Sequence, residues 1–185
     1  MAECVCPWWM GYLLASPIRR LRQKPEEILS PYVKKGMTVL EIGPGMGFFS
    51  IPMARMVGES GKIICVDIQE KMLSSLMRRA QRAEVAGQVI TKIASSDSLN
   101  IDDYAGQVDF TLAFAVVHEI PDQENLFSQI HKTMKSGALL LISEPTHHVK
   151  PASFEEMIVM TRKIGFEEIS RPTIKNGINV VLKKG

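Results

Sequence analysis

The sequence predicts an α/β domain on an open, mostly parallel sheet with helices on both faces, and three observations carry that expectation. Residues 38–42 form a short β-branched or apolar run, interrupted by Glu41, that enters the glycine turn Gly43-Pro44-Gly45-Met46-Gly47 and then a helical stretch toward Val57. A second apolar run, Lys62-Ile63-Ile64-Cys65-Val66, ends in Asp67, and helical spacing follows it again. Residues 107–114 form the near-continuous apolar run expected of a central parallel strand covered on both faces.

In chain order, residues 1–30 read as an N-terminal arm and 31–185 as the core of a single domain. The arm holds both tryptophans, Trp8 and Trp9, with Cys4 and Cys6, and it fits the sheet poorly. Three readings of it stand side by side. It packs over the sheet edge or the ligand cleft, or it forms a lid or substrate wall that excludes water. Alternatively it rests on acidic lipid as a peripheral anchor, with Arg19, Arg20, Arg22 and Lys24 beside a short apolar stretch.

Lys24-Pro25-Glu26-Glu27-Ile28-Leu29 opens a helix, with proline early and acids in the first turn. The glycine turn is expected to pass into a helix near Met46 or Gly47, in which Pro52 is tolerated only in an early turn. Met72, Leu73, Leu76, Met77 and Ala80 fall at helical spacing. A third strand fits 89–94, with Ser95-Ser96-Asp97-Ser98 as the loop at its carboxyl end. The 107–114 strand is followed by Ala115-Val116-Val117-His118-Glu119-Ile120-Pro121-Asp122, a helix over 123–134 and the turn Lys135-Ser136-Gly137. A strand over 138–143 then ends in Glu144-Pro145. A helix over 153–164 and a hairpin, 166–172 out and 178–183 back about Asn176-Gly177, bring the expected strands to seven.

Composition narrows the function. At 185 residues the chain holds one domain with a proper core and is short for two. A net charge of +2 gives no strong pull toward nucleic acid or membrane. No apolar run reaches the roughly 20 residues that span a bilayer and no signal peptide is evident, so a cytoplasmic location is the default expectation. Three cysteines cannot all pair, and Cys65 belongs inside a strand, so a disulfide scaffold is not expected. Cys4 and Cys6 with His147 and His148 lack the usual zinc-knuckle spacing, and no metal is expected. Nothing in the sequence sets the oligomeric state.

The glycine turn sharpens the reading. Glycines at alternate positions let the backbone turn tightly and let a ligand approach where a Cβ would block it. In an open α/β sheet the carboxyl ends of neighbouring strands face one crevice, and an acid ending the second strand, Asp67, can take both hydroxyls of a ribose. The spacing Gly43-x-Gly45-x-Gly47 departs from the dinucleotide fingerprint, because Phe48 stands where the third glycine belongs. Glu41 would be unhelpful beside a diphosphate but suits a ligand whose near end carries an ammonium.

These residues, Glu41-Ile42-Gly43-Pro44-Gly45-Met46-Gly47 with Val66-Asp67, resemble motifs I and II of class I S-adenosylmethionine-dependent methyltransferases. The resemblance covers roughly residues 30–184, and the stretch Ala115–Asp122 and the Lys-Ser-Gly before an apolar strand are similar to the family as well. It implies a Rossmann-like seven-stranded mostly parallel sheet with an antiparallel C-terminal strand. It also implies S-adenosylmethionine as cofactor, contacted by Glu41, Gly43, Pro44, Gly45, Gly47, Asp67, Ile68, Ser96, Asp97 and Phe114. Methyl transfer needs no universal catalytic residue. A hydroxyl or phenol acceptor needs a base, for which His118, Glu144 and His147 are the candidates, with Glu119 and His148 beside them.

The Asp/Asn-Pro-Pro-aromatic motif of exocyclic-amine methylation and the Pro-Cys nucleophile of cytosine methylation are both missing after residue 114. A small-molecule or lipid-like acceptor is therefore expected, with quinone-biosynthesis methyltransferases as the nearest broad relatives. Too few cysteines lie beyond the arm to favour an arsenite substrate. Two other readings of the same fold are a binding protein without turnover and a nicotinamide-dependent oxidoreductase.

Overall fold

A strand whose successive side chains point to opposite faces, and which is apolar on both, folds stably only if both faces are covered. The computed structural model, which describes residues 23–185, meets that requirement with two layers of helices on one sheet. The expectations placed on Cys4, Cys6, Trp8, Trp9 and the rest of residues 1–22 lie outside the described residues.

The strands are β1 (Thr38–Ile42), β2 (Lys62–Asp67), β3 (Val89–Ile93), β4 (Val108–Phe114), β5 (Met134–Pro145), β6 (Phe166–Ser170) and β7 (Gly177–Lys184). The helices are α1 (Pro25–Leu29), α2 (Ser50–Val57), α3 (Glu70–Arg82), α4 (Gln123–Thr133) and α5 (Pro151–Ile164). The seven strands lie in the order β3-β2-β1-β4-β5-β7-β6. Pairing is parallel from β3 through β5 and antiparallel on both sides of β7.

Alternation within the strands sorts the core. Val39, Ile63, Cys65, Phe110, Leu112, Leu141 and Val181 pack with Leu29 of α1, Met53 and Val57 of α2, and Leu73 and Leu76 of α3. Their strand neighbours Leu40, Ile64, Ala113, Leu140, Ile142, Val180 and Leu182 pack with Phe127 and Ile130 of α4 and Phe154 and Ile158 of α5. Glu41 shares its face with Val39 and so points toward α2, which matters for the site.

Three local expectations are corrected. Helix α2 begins at Ser50 instead of near Met46, because the intervening turn keeps Gly45 and Gly47 at positive φ, which a helix cannot contain. Pro52 accordingly sits in its first turn, where no intrahelical N–H is lost. The Lys135-Ser136-Gly137 turn is an excursion within a longer β5, for Val108 pairs with Met134 while Phe110 pairs with Leu139. The C-terminal strands are not joined by a two-residue turn at Asn176-Gly177. β6 stops at Ser170, and Gly177 is already paired with Pro145 of β5.

Phe110 is 1% exposed and stacks its ring on Tyr32 at 5.5 Å. Phe110→Ala should lower the unfolding free energy by about 3–5 kcal/mol through the cavity left in the sheet centre, read from the shift in urea midpoint at unchanged slope.

Candidate active site

Parallel strands deliver their carboxyl ends to one edge of the sheet, and the loops that leave β1, β2, β3 and β4 line a cleft of about 300 Å³ there. That volume lies in the range of small-molecule sites. Its wall includes Glu41, Gly43, Pro44, Gly45, Asp67, Ile68, Ser96, Asp97 and Phe114. The structure thus brings to one cavity every residue expected at the cofactor except Gly47, which does not line it.

The glycines of the first turn do different jobs. Gly43, at φ 64°, donates its N–H to the Val66 carbonyl at 2.9 Å, joining the ends of β1 and β2. A Cβ there would lie 2.5 Å from Cγ2 of Val116, so the vacant space serves the loop after β4 and not a ligand. Gly45, at φ 54°, would direct a Cβ into open space, with nothing within 4 Å. Gly45 is therefore the position where a ligand can meet the bare main chain.

Glu41 is 3% exposed. Its Oε2 accepts from the Ser50 hydroxyl at 2.5 Å, and the Cys65 thiol lies 3.9 Å from the same oxygen. Burial raises its carboxyl to about pKa 7, against the pull of the Ser50 and Cys65 hydrogen bonds. Asp67, ending β2, is likewise raised by burial, while the amides of Gln69, Gly45 and Ile68 offset part of the shift. The Gln69 N–H donates to Asp67 Oδ1 at 2.9 Å.

The loop after β3 is fastened from α4. The Asp97 carbonyl accepts from Asn125 Nδ2 at 2.8 Å and Gln129 Nε2 at 3.1 Å, and the Leu99 N–H donates to Gln129 Oε1 at 2.8 Å. Asn125 and Gln129 also line the cleft and were not expected from sequence. Their i, i+4 spacing marks one helix face, but nothing in the chain ties that face to residue 97. Phe48, Phe49, Val116 and Ile120 line it too.

His118, Glu144 and His147 do not line the cleft. They form a cluster behind the loop that follows β4, with Glu144 only 1% exposed at the end of β5. Glu144 Oε2 meets His118 Nδ1, and this contact raises the His118 pKa against the opposing effect of burial. His148 stacks on His118 at 5.2 Å, and His147 lies 4.4 Å from His148. Among the described residues no group of three His, Cys, Asp or Glu side chains could hold a metal, and no helix is long and apolar enough to cross a membrane.

A sheet of this strand order, with an open glycine turn and two acids at adjoining strand ends, one buried and one half-buried, defines the class I S-adenosylmethionine-dependent methyltransferases. Comparison with known proteins agrees. The model of a methyltransferase-domain family matches residues 33–176, and the chain belongs to that family. The ubiquinone/menaquinone biosynthesis C-methyltransferase UbiE of Escherichia fergusonii is 30% identical over 112 residues, 60% of this chain and 44% of that protein. UbiE of Escherichia coli is 29% identical over the same length. The chain therefore spans less than half the length of the curated relatives it matches. A SAM-dependent methyltransferase from Aquifex aeolicus superposes with a TM-score of 0.85 at 22% identity, over 97% of this chain and 98% of that one. The cofactor of the class is S-adenosylmethionine, and the residues present fit it: Gly45 has open space beside it in a cleft that Glu41 and Asp67 also line.

The Glu41 shift sets a pH dependence. Its folded value, about 7, exceeds the free value of 4.5, so its contribution to stability is complete below about pH 4.5 and fades as pH rises through about 7. A bound ammonium favours the ionised form, so affinity for S-adenosylhomocysteine should fall as pH drops below about 7, approaching tenfold per unit. Calorimetric titration across that range should show the slope in the natural protein and its loss in Glu41→Gln.

Proposed function

We propose that the chain is an active methyltransferase that holds S-adenosylmethionine in the cleft and methylates a small, apolar or lipid-like acceptor of quinone type. The observation that carries the cofactor half is the unobstructed space over Gly45 in a cleft lined by Glu41 and Asp67. When bound, the cofactor supplies a methyl on a sulfonium, and transfer is an in-line displacement in which the positive charge disappears. What the chain must provide is alignment and a dry wall.

Phe48, Phe49 and Phe114 supply much of that wall. Phe49 packs on Phe48 at 5.0 Å and on Phe114 at 4.5 Å, and all three rings border the cleft. Rings so arranged favour a flat, apolar acceptor over a charged one. The activity of the UbiE relatives, C-methylation in ubiquinone and menaquinone biosynthesis, points the same way. For an acceptor that must lose a proton, His118, Glu144 and His147 stand behind the loop after β4 and do not border the cleft, so in this reading none of them takes the proton directly. Of the expected candidates Glu119 is the one that lines the cleft, and the base in this reading is Glu119.

Incubation with methyl-labelled S-adenosylmethionine and a panel of hydroquinones, such as 1,4-dihydroxynaphthalene and 2-methoxyhydroquinone, should yield labelled product. Cofactor binding without turnover on a wide panel would favour a binding protein, and binding of NAD in place of S-adenosylmethionine would overturn the reading. Asp67→Ala should weaken S-adenosylmethionine binding by about 1–3 kcal/mol through loss of charge-assisted bonds to ribose, measured by calorimetry.

A further inference from the structure

The loop after β4 has an unusual construction. Ala115, a residue with a Cβ, stands at φ 55° in the cleft wall, and its N–H donates to the Ser143 carbonyl at 2.7 Å. Left-handed backbone at a non-glycine residue persists only where the surroundings hold it. The next residue, Val116, puts its side chain into the space that Gly43 leaves vacant. Glu144 lies directly behind. Its Oε1 accepts from the Val116 N–H at 3.1 Å and the Val117 N–H at 3.0 Å, and its Oε2 accepts from the His118 N–H at 3.4 Å and meets His118 Nδ1.

We propose that Glu144 is a positioning residue for the cleft: its carboxylate gathers the loop after β4 and thereby seats Val116 on Gly43, fixing the distance between that loop and the glycine turn. One buried carboxylate receives four donors, three of them consecutive backbone amides. No other acceptor within the loop replaces it for Val116 or Val117, whose N–H groups point at Glu144. The role differs from that of a base, because Glu144 does not border the cleft. It acts through Val116, which does.

The inference rests on the cofactor reading above only for its ligand readout. S-adenosylhomocysteine serves as the probe, titrated into the full chain and into Glu144→Gln, Val116→Ala and the double variant. The amide of glutamine keeps the size of the side chain but retains a single acceptor oxygen. Glu144→Gln should weaken binding about tenfold and Val116→Ala several-fold. The double variant should be little worse than Glu144→Gln alone, since both changes act through one seat. Unchanged affinity in Glu144→Gln, or full additivity in the double variant, would overturn the proposal.

Amide hydrogen exchange gives a second readout that needs no ligand. Exchange at Val116 and Val117 should accelerate at least tenfold in Glu144→Gln, with the amides of β1 and β2 unaffected. If the natural protein ignores S-adenosylhomocysteine while exchange responds as stated, the cofactor reading fails and the positioning role stands. If exchange at Val116 and Val117 is unmoved, the positioning role fails whatever the ligand does. Should Glu144→Gln not fold, Val116→Ala decides, and natural S-adenosylhomocysteine affinity in that variant would sink the proposal.

Discussion

A carboxylate taken out of water is among the costlier things a fold can contain, and the cleft is built around one. Glu41 lies on the α2 face of β1, where alternation would otherwise place another apolar residue. Among the described residues, a hydroxyl from Ser50 and a thiol from Cys65 are the donors offered to it. Burial lifts its carboxyl to about pKa 7, so the fold relieves the cost partly by letting the group hold its proton. A ligand that brings an ammonium relieves it in another way. The apolar core that makes β1 stable is thus the same environment that makes the site receptive to a cation.

The rest of the site follows from three strand ends meeting. β1 turns at Gly43, whose N–H is given to β2 and whose missing side chain is replaced by Val116 from beyond β4. β4 is tied to β5 through Ala115 and Glu144, and the loop beyond β3 is tied to α4 through Asn125 and Gln129. Each loop is therefore anchored to a neighbour that is itself part of the sheet or packed on it. Such a site owes its shape to rigid elements more than to the loops that line it.

Most of the architecture was legible from sequence because it is written in local pattern. β1 matches its expected bounds, and β2 differs only in taking in Asp67, since apolar runs ending at an acid or glycine leave little choice of register. The residues expected at the cofactor from the ends of β1 and β2 meet in one cleft for the same reason: the acids and the turn are adjacent in the chain. What sequence missed is long-range. Asn125 and Gln129 reach residue 97 across the crossover between β3 and α4, and Val116 fits Gly43 from 73 positions away. Gly43 lines the cleft, but the space a Cβ would need there is taken by Val116, and ligand access and a neighbour's side chain leave the same mark in a sequence. The longer β5 was hidden by Gly137, whose φ of 77° looks like a strand boundary but marks an excursion within the strand.

The position of β7 carries a consequence for how the molecule is assembled. It follows both β5 and β6 in the chain yet lies between them in the sheet. Until residues 177–184 are in place, β5 presents one unpaired edge and β6 has no strand partner among the described residues. A nascent or partly unfolded molecule would then display two open strand templates at once, one of them carrying the apolar run Ala138–Ile142. Unpaired edges of that kind recruit other chains. Protection against self-association therefore falls to the last strand to arrive, far from the cleft where the chemistry is done.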